Sequence, residues 1–167
     1  MKEIKLFELS QNIVEMIAHQ WMLITAGDEK KVNTMTASWG MMGYLWNKPV
    51  VNVYVRPQRY TYQFMESQEG FSLCFFDEEL KDVLKYCGSH SGKDEDKIAH
   101  CQLSIAYQDG IPYFKEASTV ILCRKIAVSD LKSEQFLDEE IEKNYPNKDY
   151  HRVYTGEVMK VMVREEK

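Results

Sequence analysis

Three polar segments carry residue types that can hold a charged, planar small molecule. The first is Asn33-Thr34-Met35-Thr36-Ala37-Ser38-Trp39-Gly40. Side chains alternate between the faces of a strand. Thr34, Thr36 and Ser38 then share one face, and Met35, Ala37 and Trp39 the other. Small hydroxyls, free backbone amides and a neighbouring indole suit a flat heterocycle with a polar edge. The same pattern also describes a half-exposed strand whose threonines face water. The second segment is Arg56-Pro57-Gln58-Arg59-Tyr60-Thr61. Two arginines, a hydroxyl and the free N–H groups of a starting helix make an anion site. The plainer alternative is two surface arginines beside a threonine cap. The third is Ser89-His90-Ser91-Gly92-Lys93-Asp94-Glu95-Asp96-Lys97. Alone, it reads as a solvated connection. Folded over the second segment, its Ser91 and Lys97 would close a phosphate pocket.

Other chemistries lack their signatures. No G-x-G-x-x-G follows a strand, so the Rossmann dinucleotide fingerprint is missing. The run Gly88 to Asp94 has the look of a P-loop, but it is one residue short between its glycines and carries Asp94 where Ser or Thr is required. Cys87, His90, His100 and Cys101 could be grouped as a zinc tetrad, yet no C-x-x-C or H-E-x-x-H supports a metal. Cys87 reads better as the apolar end of a helix. No G-x-S-x-G points to a hydrolase.

The elements that must position these segments are mostly strands. Trp21–Ala26 and Val32–Ser38 flank a polar turn, and Pro49 opens a strand over Val50–Val55. There Val51, Val53 and Val55 share one face, and Asn52 and Tyr54 the other. A short helix follows, with Thr61 as its cap and Gly70 as its end. Phe71–Phe76 reads as a buried strand. Asp77 caps a helix whose Leu80, Val83, Leu84 and Cys87 recur at helical spacing, with Gly88 as its stop. Asp109-Gly110 marks a hairpin between Leu103–Tyr107 and Ile111–Phe114. Ser118–Val128 and Val153–Val163 are long strands. Ser133–Tyr145 reads as an acidic amphipathic helix with Phe136, Leu137 and Ile141 inward. Seven or eight strands with tight hairpins argue for an antiparallel barrel rather than a doubly wound parallel sheet.

Composition narrows the partners. The chain has 167 residues, with 21 Lys+Arg against 26 Asp+Glu and a net charge of −5. Length and the lack of a linker predict a single domain over 1–167. The acidic balance disfavours nucleic acid as a partner, while one local basic pocket still suffices for a small anion. No apolar run approaches the roughly 18 residues that cross a bilayer. The first residues lack the apolar core of an export signal, and four scattered cysteines fit reduced thiols, so a cytoplasmic location without membrane contact is expected.

In order and spacing, these segments resemble the flavin reductase-like family of FMN-binding split barrels, its flavoredoxin-type members most closely. The matching residues are Met35 to Gly40, Pro49 and its valine strand, and Arg56-Pro57 with Arg59-Tyr60-Thr61. Gly70-Phe71, Gly88-Ser89 and Ser91-Gly92 with Lys97 follow. His151, Tyr154, Gly156, Glu157 and Val158 resemble the family's closing strand. The resemblance covers residues 15 to 163.

The resemblance implies a mainly β protein, a six-stranded antiparallel Greek-key split barrel with a few peripheral helices. It implies a homodimer with one FMN per subunit near the interface. Met35, Thr36, Ala37, Ser38 and Trp39 would line the isoalloxazine ring. Arg56, Tyr60 and Thr61 would face the ribityl and phosphate end, with Ser89, Ser91 and Lys97 on its other side. His151 would stand near the site or the dimer contact. The segment Lys93-Asp94-Glu95-Asp96 departs from the family's pattern, being longer and more acidic. The implied activity passes electrons from NADH or NADPH through FMN to a flavin, a protein or a small acceptor. The other reading is an FMN carrier reduced by a redox protein partner. In both, the flavin carries the chemistry and no catalytic side chain or metal is called for.

Overall fold

The computed structural model describes residues 1–165. The final two positions of the expected 1–167 domain lie outside the described residues. Ten strands form: β1 (Lys2–Ile4), β2 (Met22–Gly27), β3 (Val32–Ala37), β4 (Gly40–Leu45), β5 (Lys48–Val55), β6 (Gly70–Phe75), β7 (Ile105–Gln108), β8 (Ile111–Phe114), β9 (Thr119–Asp130) and β10 (Arg152–Val163). Eight of them make one sheet in the order β3-β2-β6-β9-β10-β5-β4, with β1 added on β10. Every pairing in it is antiparallel. Six of these strands meet the expected count, and β1 and β4 extend it.

The topology forces curvature. β3 and β4 stand at opposite ends of the hydrogen-bonded path, yet only Ser38 and Trp39 separate them in the chain. The sheet must therefore coil until its ends nearly meet, which gives an open barrel. Alternation then sorts the side chains. Met22, Ile24, Val51, Val53, Phe71 and Leu73 pack inside. Leu23, Cys74, Val120 and Leu122 face outward into a second cluster with Leu84 and Cys87.

Local chemistry sets the turns. The Asp28 carboxylate accepts from the Lys30 and Lys31 amides, at 2.9 and 3.0 Å, and closes the β2–β3 hairpin. The β4–β5 turn puts Trp46 and Asn47 at φ of 52° and 57°. Two adjacent residues with positive φ are what the type I′ hairpin turn requires. Strand β4 lay outside the sequence reading, because tryptophan is not a usual first residue of such a turn. Asp109 and Gly110 form the expected β7–β8 turn, with φ of 53° and 77°.

Three helices border the candidate site: α2 (Thr61–Ser67), α3 (Lys81–Ser89) and α4 (Lys97–His100), while α1 (Ile13–Glu15) precedes β2. Several expectations are corrected. Thr61 is the first residue of α2 rather than its cap; Tyr60 holds that position without a side-chain cap. Asp77 precedes a 3-10 turn, makes no cap bond and instead accepts from Arg164. Gly88 does not stop α3, which continues through Ser89. The expected helix over Ser133–Tyr145 is two 3-10 turns, Ser133–Gln135 and Glu139–Asn144. There the Asp138 side chain accepts from the Glu140 amide and starts a new turn, and Glu139, Glu140 and Glu142 repel one another. Leu137 is fully exposed, so its expected inward face is absent.

Candidate functional site

The sheet's open seam runs past Ser38 and Trp39, and the three sequence segments gather along it. Two shallow hollows lie end to end there. One, of about 180 Å³, is bordered by Met35 to Trp39 together with Tyr54, Arg56, Arg59 and His151. The other, of about 190 Å³, is bordered by Asn33, Arg59, Thr61, Ser89, Ser91 and Lys97, among others. Arg59 belongs to both and marks where they join.

The ring-sized end is aromatic. Met35 turns its side chain into the core, so this residue can offer only its backbone to the hollow. Thr36 donates its hydroxyl to the Leu84 carbonyl and ties β3 to α3. Gly88 permits that approach, since a Cβ there would stand 3.3 Å from Thr36 Cβ. Ala37 is half-buried, and Ser38 and Trp39 are exposed. The Trp39 ring lies 5.3 Å from the His151 ring, and Tyr54 meets His151 edge-on at 6.2 Å. His151 is buried, and its Nδ1 shares a 2.8 Å hydrogen bond with the Tyr145 hydroxyl. Burial, with the nearby Arg56 charge, lowers its pKa to about 4, so the imidazole is neutral at pH 7.

The other end is polar. The Asn33 amide donates to the Thr61 hydroxyl at 2.8 Å, and both side chains are buried. Tyr60 accepts from Lys31 Nζ at 2.7 Å. Ser89 donates back to the Lys85 carbonyl at 3.0 Å, closing the end of α3. Ser91 accepts from the Lys93 amide and shapes the loop. Gly92 passes so close to β3 that a Cβ would lie 2.0 Å from Asn33 Oδ1. Lys97 is buried, with Nζ donating to the carbonyls of Cys87 and His90 at 2.8 and 3.0 Å. Its ammonium holds the loop's first carbonyls, and burial lowers its pKa to about 8.

The two arginines part company. Arg56 borders only the ring-sized hollow. It donates to Asp149 at 2.7 Å and to the Asn144 carbonyl at 2.8 Å. Arg59 has no carboxylate partner among the described residues, and burial and the Arg56 charge both lower its pKa. A cation left unpaired at the junction is the part of this groove that an anion would complete.

Sequence reasoning found all three segments, with Asn33 in the first of them though without a role of its own, but missed Tyr54, Tyr145 and Asp149. Tyr54 was legible as the outward face of its valine strand. Tyr145 and Asp149 were not, because the stretch that ends at Tyr145 reads as a helix.

The sequence model of the flavin reductase like domain matches residues 14–167, and the chain belongs to that family. Solved structures with the same fold include an FMN-binding protein from Thermus thermophilus with bound p-hydroxybenzaldehyde. It is 22% identical with a TM-score of 0.69, over 99% of this chain and 83% of that one. Flavoredoxin from Methanosarcina acetivorans is 22% identical with a TM-score of 0.69, over 99% and 77%. An NADH:FAD oxidoreductase from Streptomyces globisporus is 15% identical with a TM-score of 0.67, over 87% and 75%. A search of curated proteins gives no match. Among the described residues, no helix is long and apolar enough to cross a membrane.

Proposed function

We propose that this chain binds FMN lengthwise in the groove and acts as a flavin oxidoreductase, taking electrons from NADH or NADPH and passing them to a flavin, a protein or a small acceptor. The observation that carries the reading is Arg59, a cation with no carboxylate partner among the described residues, where an aromatic hollow meets a hydroxyl-lined one. Bound FMN supplies the hydride and electron transfer. The protein's own groups do the positioning. The backbone from Met35 to Ser38 offers amides and carbonyls to the ring edge, and Trp39 with neutral His151 walls the ring's side. Arg59, Thr61, Ser89 and Ser91 receive the phosphate, while Lys97 keeps their loop in place. A further apolar hollow of about 780 Å³ shares Ser38, Trp39 and Tyr54 with the ring end. Val14 and Met41 line it too, so a flat donor or acceptor would meet the ring in a space that a second copy of the chain walls on one side.

The same reading covers the assembly. Val14, Met41, Tyr44 and Trp46 are exposed apolar residues around the open seam. A second copy of the chain, as the family resemblance implies, would cover them and shelter the groove.

The visible spectrum of the purified protein with FMN, before and after anaerobic NADH or NADPH, tests the proposal. A bound-flavin band that bleaches supports the reductase. A band that persists with both nucleotides, yet bleaches with a reduced redox protein, replaces it with the electron carrier. No bound band overturns both.

A further inference from the structure

The apolar hollow of about 780 Å³ beside the ring end has a chemistry of its own. Its volume lies within the range of small-molecule sites, about 300–1,000 Å³. Ile17 and Ala18 come to it from the turn before β2, and Leu131, Phe136 and Ile141 from the strap that follows β9. None of the residues that border it carries a charge. In this it differs from the phosphate end, where Arg59 and Lys97 stand. The strap itself is acidic, and its Glu134, Asp138, Glu139 and Glu140 are all exposed. An anion would pass carboxylates of its own sign, enter an uncharged space and find no cation there. A neutral molecule meets none of these penalties.

The polar groups of the hollow are donors. Neither Ser38 nor Tyr54 spends its hydroxyl on a partner among the described residues. Burial raises the Tyr54 pKa above its ordinary value, so this hydroxyl stays protonated at pH 7. Both residues stand where the hollow joins the ring-sized one. Flat faces lie further along, since the Phe136 and Tyr145 rings are 5.9 Å apart and inclined by only 18°. Free hydroxyls beside the ring and apolar walls beyond it suit a planar, uncharged molecule with carbonyl oxygens at its edge.

We infer that this hollow takes a neutral quinone as the electron acceptor, with a carbonyl oxygen on the Tyr54 hydroxyl and its carbon body against Phe136 and Ile141. The role as acceptor rests on the FMN reading above; the hollow's preference for a neutral quinone does not. In the balanced reaction NADH or NADPH, one solvent proton and the quinone are consumed, and NAD⁺ or NADP⁺ and the hydroquinone leave. The quinone gains two electrons and two protons: the nicotinamide supplies the equivalent of a hydride, and solvent the other proton.

Anaerobic stopped-flow mixing tests this, with the full chain loaded with FMN, photoreduced, and offered either menadione, which is neutral, or a naphthoquinone sulfonate, which is anionic. Dividing each rate by that of free reduced FMN with the same quinone removes the difference in driving force. The wild type should then favour menadione by at least about tenfold, since the sulfonate must leave water for an uncharged wall. Ile141→Lys puts an ammonium group into that wall and should cancel or reverse the preference, with FMN affinity unchanged. Ile141 is 37% exposed, so the core is not disturbed. Ile141→Leu should keep the wild-type preference. No preference in the wild type, as when a second copy fills the hollow instead of walling it, would overturn the inference, and so would a preference that survives Ile141→Lys. Should the chain take no FMN, calorimetric titration of the flavin-free chain with duroquinone separates the two readings. Binding that Ile141→Lys weakens by at least about tenfold would keep the quinone site and sink the flavin reading alone, whereas no binding would overturn both.

Discussion

Asp149 Oδ2 lies 2.7 Å from Arg56 Nη1, joining residues 93 apart in sequence. The same carboxylate oxygen accepts from Gln58 Nε2. The second Arg56 nitrogen donates to the Asn144 carbonyl, and its guanidinium stands 5.0 Å over the Tyr145 ring. Arg56 holds the Asp149 carboxyl below the usual carboxylate range. The pair therefore fastens the segment that presents Tyr145 and His151 to the end of β5. Arg56 is already spent on this fastening, while Arg59 is not.

The two arginines should separate in binding experiments. Arg59→Gln should weaken FMN by about 10- to 100-fold, the range of a lost hydrogen bond to a charged group. It should leave riboflavin, which has no phosphate, nearly unchanged. Arg56→Gln should weaken both flavins alike and lower thermal stability, because it releases the 144–151 segment. Fluorescence titrations of both flavins with both variants check this. Equal losses of FMN and riboflavin in Arg59→Gln would remove Arg59 from the phosphate.

This division was only partly legible in the sequence. The strands were, since Val51, Val53 and Val55 or Phe71 and Leu73 alternate as barrel walls must. The three site segments were legible because hydroxyls, glycines and cations cluster there without an apolar period. Pairing was not. Nothing local says that Arg56 meets Asp149, since that contact needs the tertiary fold. The misread helix over Ser133–Tyr145 shows the same limit. Its apolar residues have helical spacing, but packing rather than spacing decides whether a helix persists.

Gly156 should not tolerate a methyl group. A Cβ there would lie 2.7 Å from Phe71 Cζ and 2.9 Å from Cys123 Cβ. Both neighbours are fully buried, and the β9–β10 register shifts between Thr155 and Gly156. Gly156→Ala should cost about 1–3 kcal/mol through overpacking. A melting curve should show a loss of about 2–4 °C per kcal/mol for a chain of this size. Adding Phe71→Leu should recover part of that loss, because the smaller side chain vacates the clash. No recovery would place the strain in the backbone instead.

The exposed apolar residues around the seam make oligomeric state a direct test. Light scattering should return twice the mass of one chain. Met41→Lys puts a charge into a face where Met41 is 59% exposed. It should give a monomer with an unchanged far-ultraviolet spectrum. A wild-type monomer that still binds FMN tightly would show that the groove is complete within one chain.

His151 should make folding stability depend on pH. Its ordinary pKa of 6.5 falls to about 4 in the folded protein, chiefly through burial. Above pH 6.5 the imidazole is neutral in both states, and its contribution to stability is fully present. Between pH 6.5 and 4 the unfolded chain takes up a proton that the folded chain refuses, so stability declines as pH falls. The loss should approach roughly 2–3 kcal/mol by pH 4. Carboxylates titrate in the lower part of this window, so the test is a difference. Urea midpoints from pH 7 to 4.5 should fall more steeply for wild type than for His151→Gln, which keeps a polar group beside Tyr145 and does not titrate. Parallel curves would mean that protonated His151 is accommodated, and that the wall beside Trp39 carries a positive charge in mild acid.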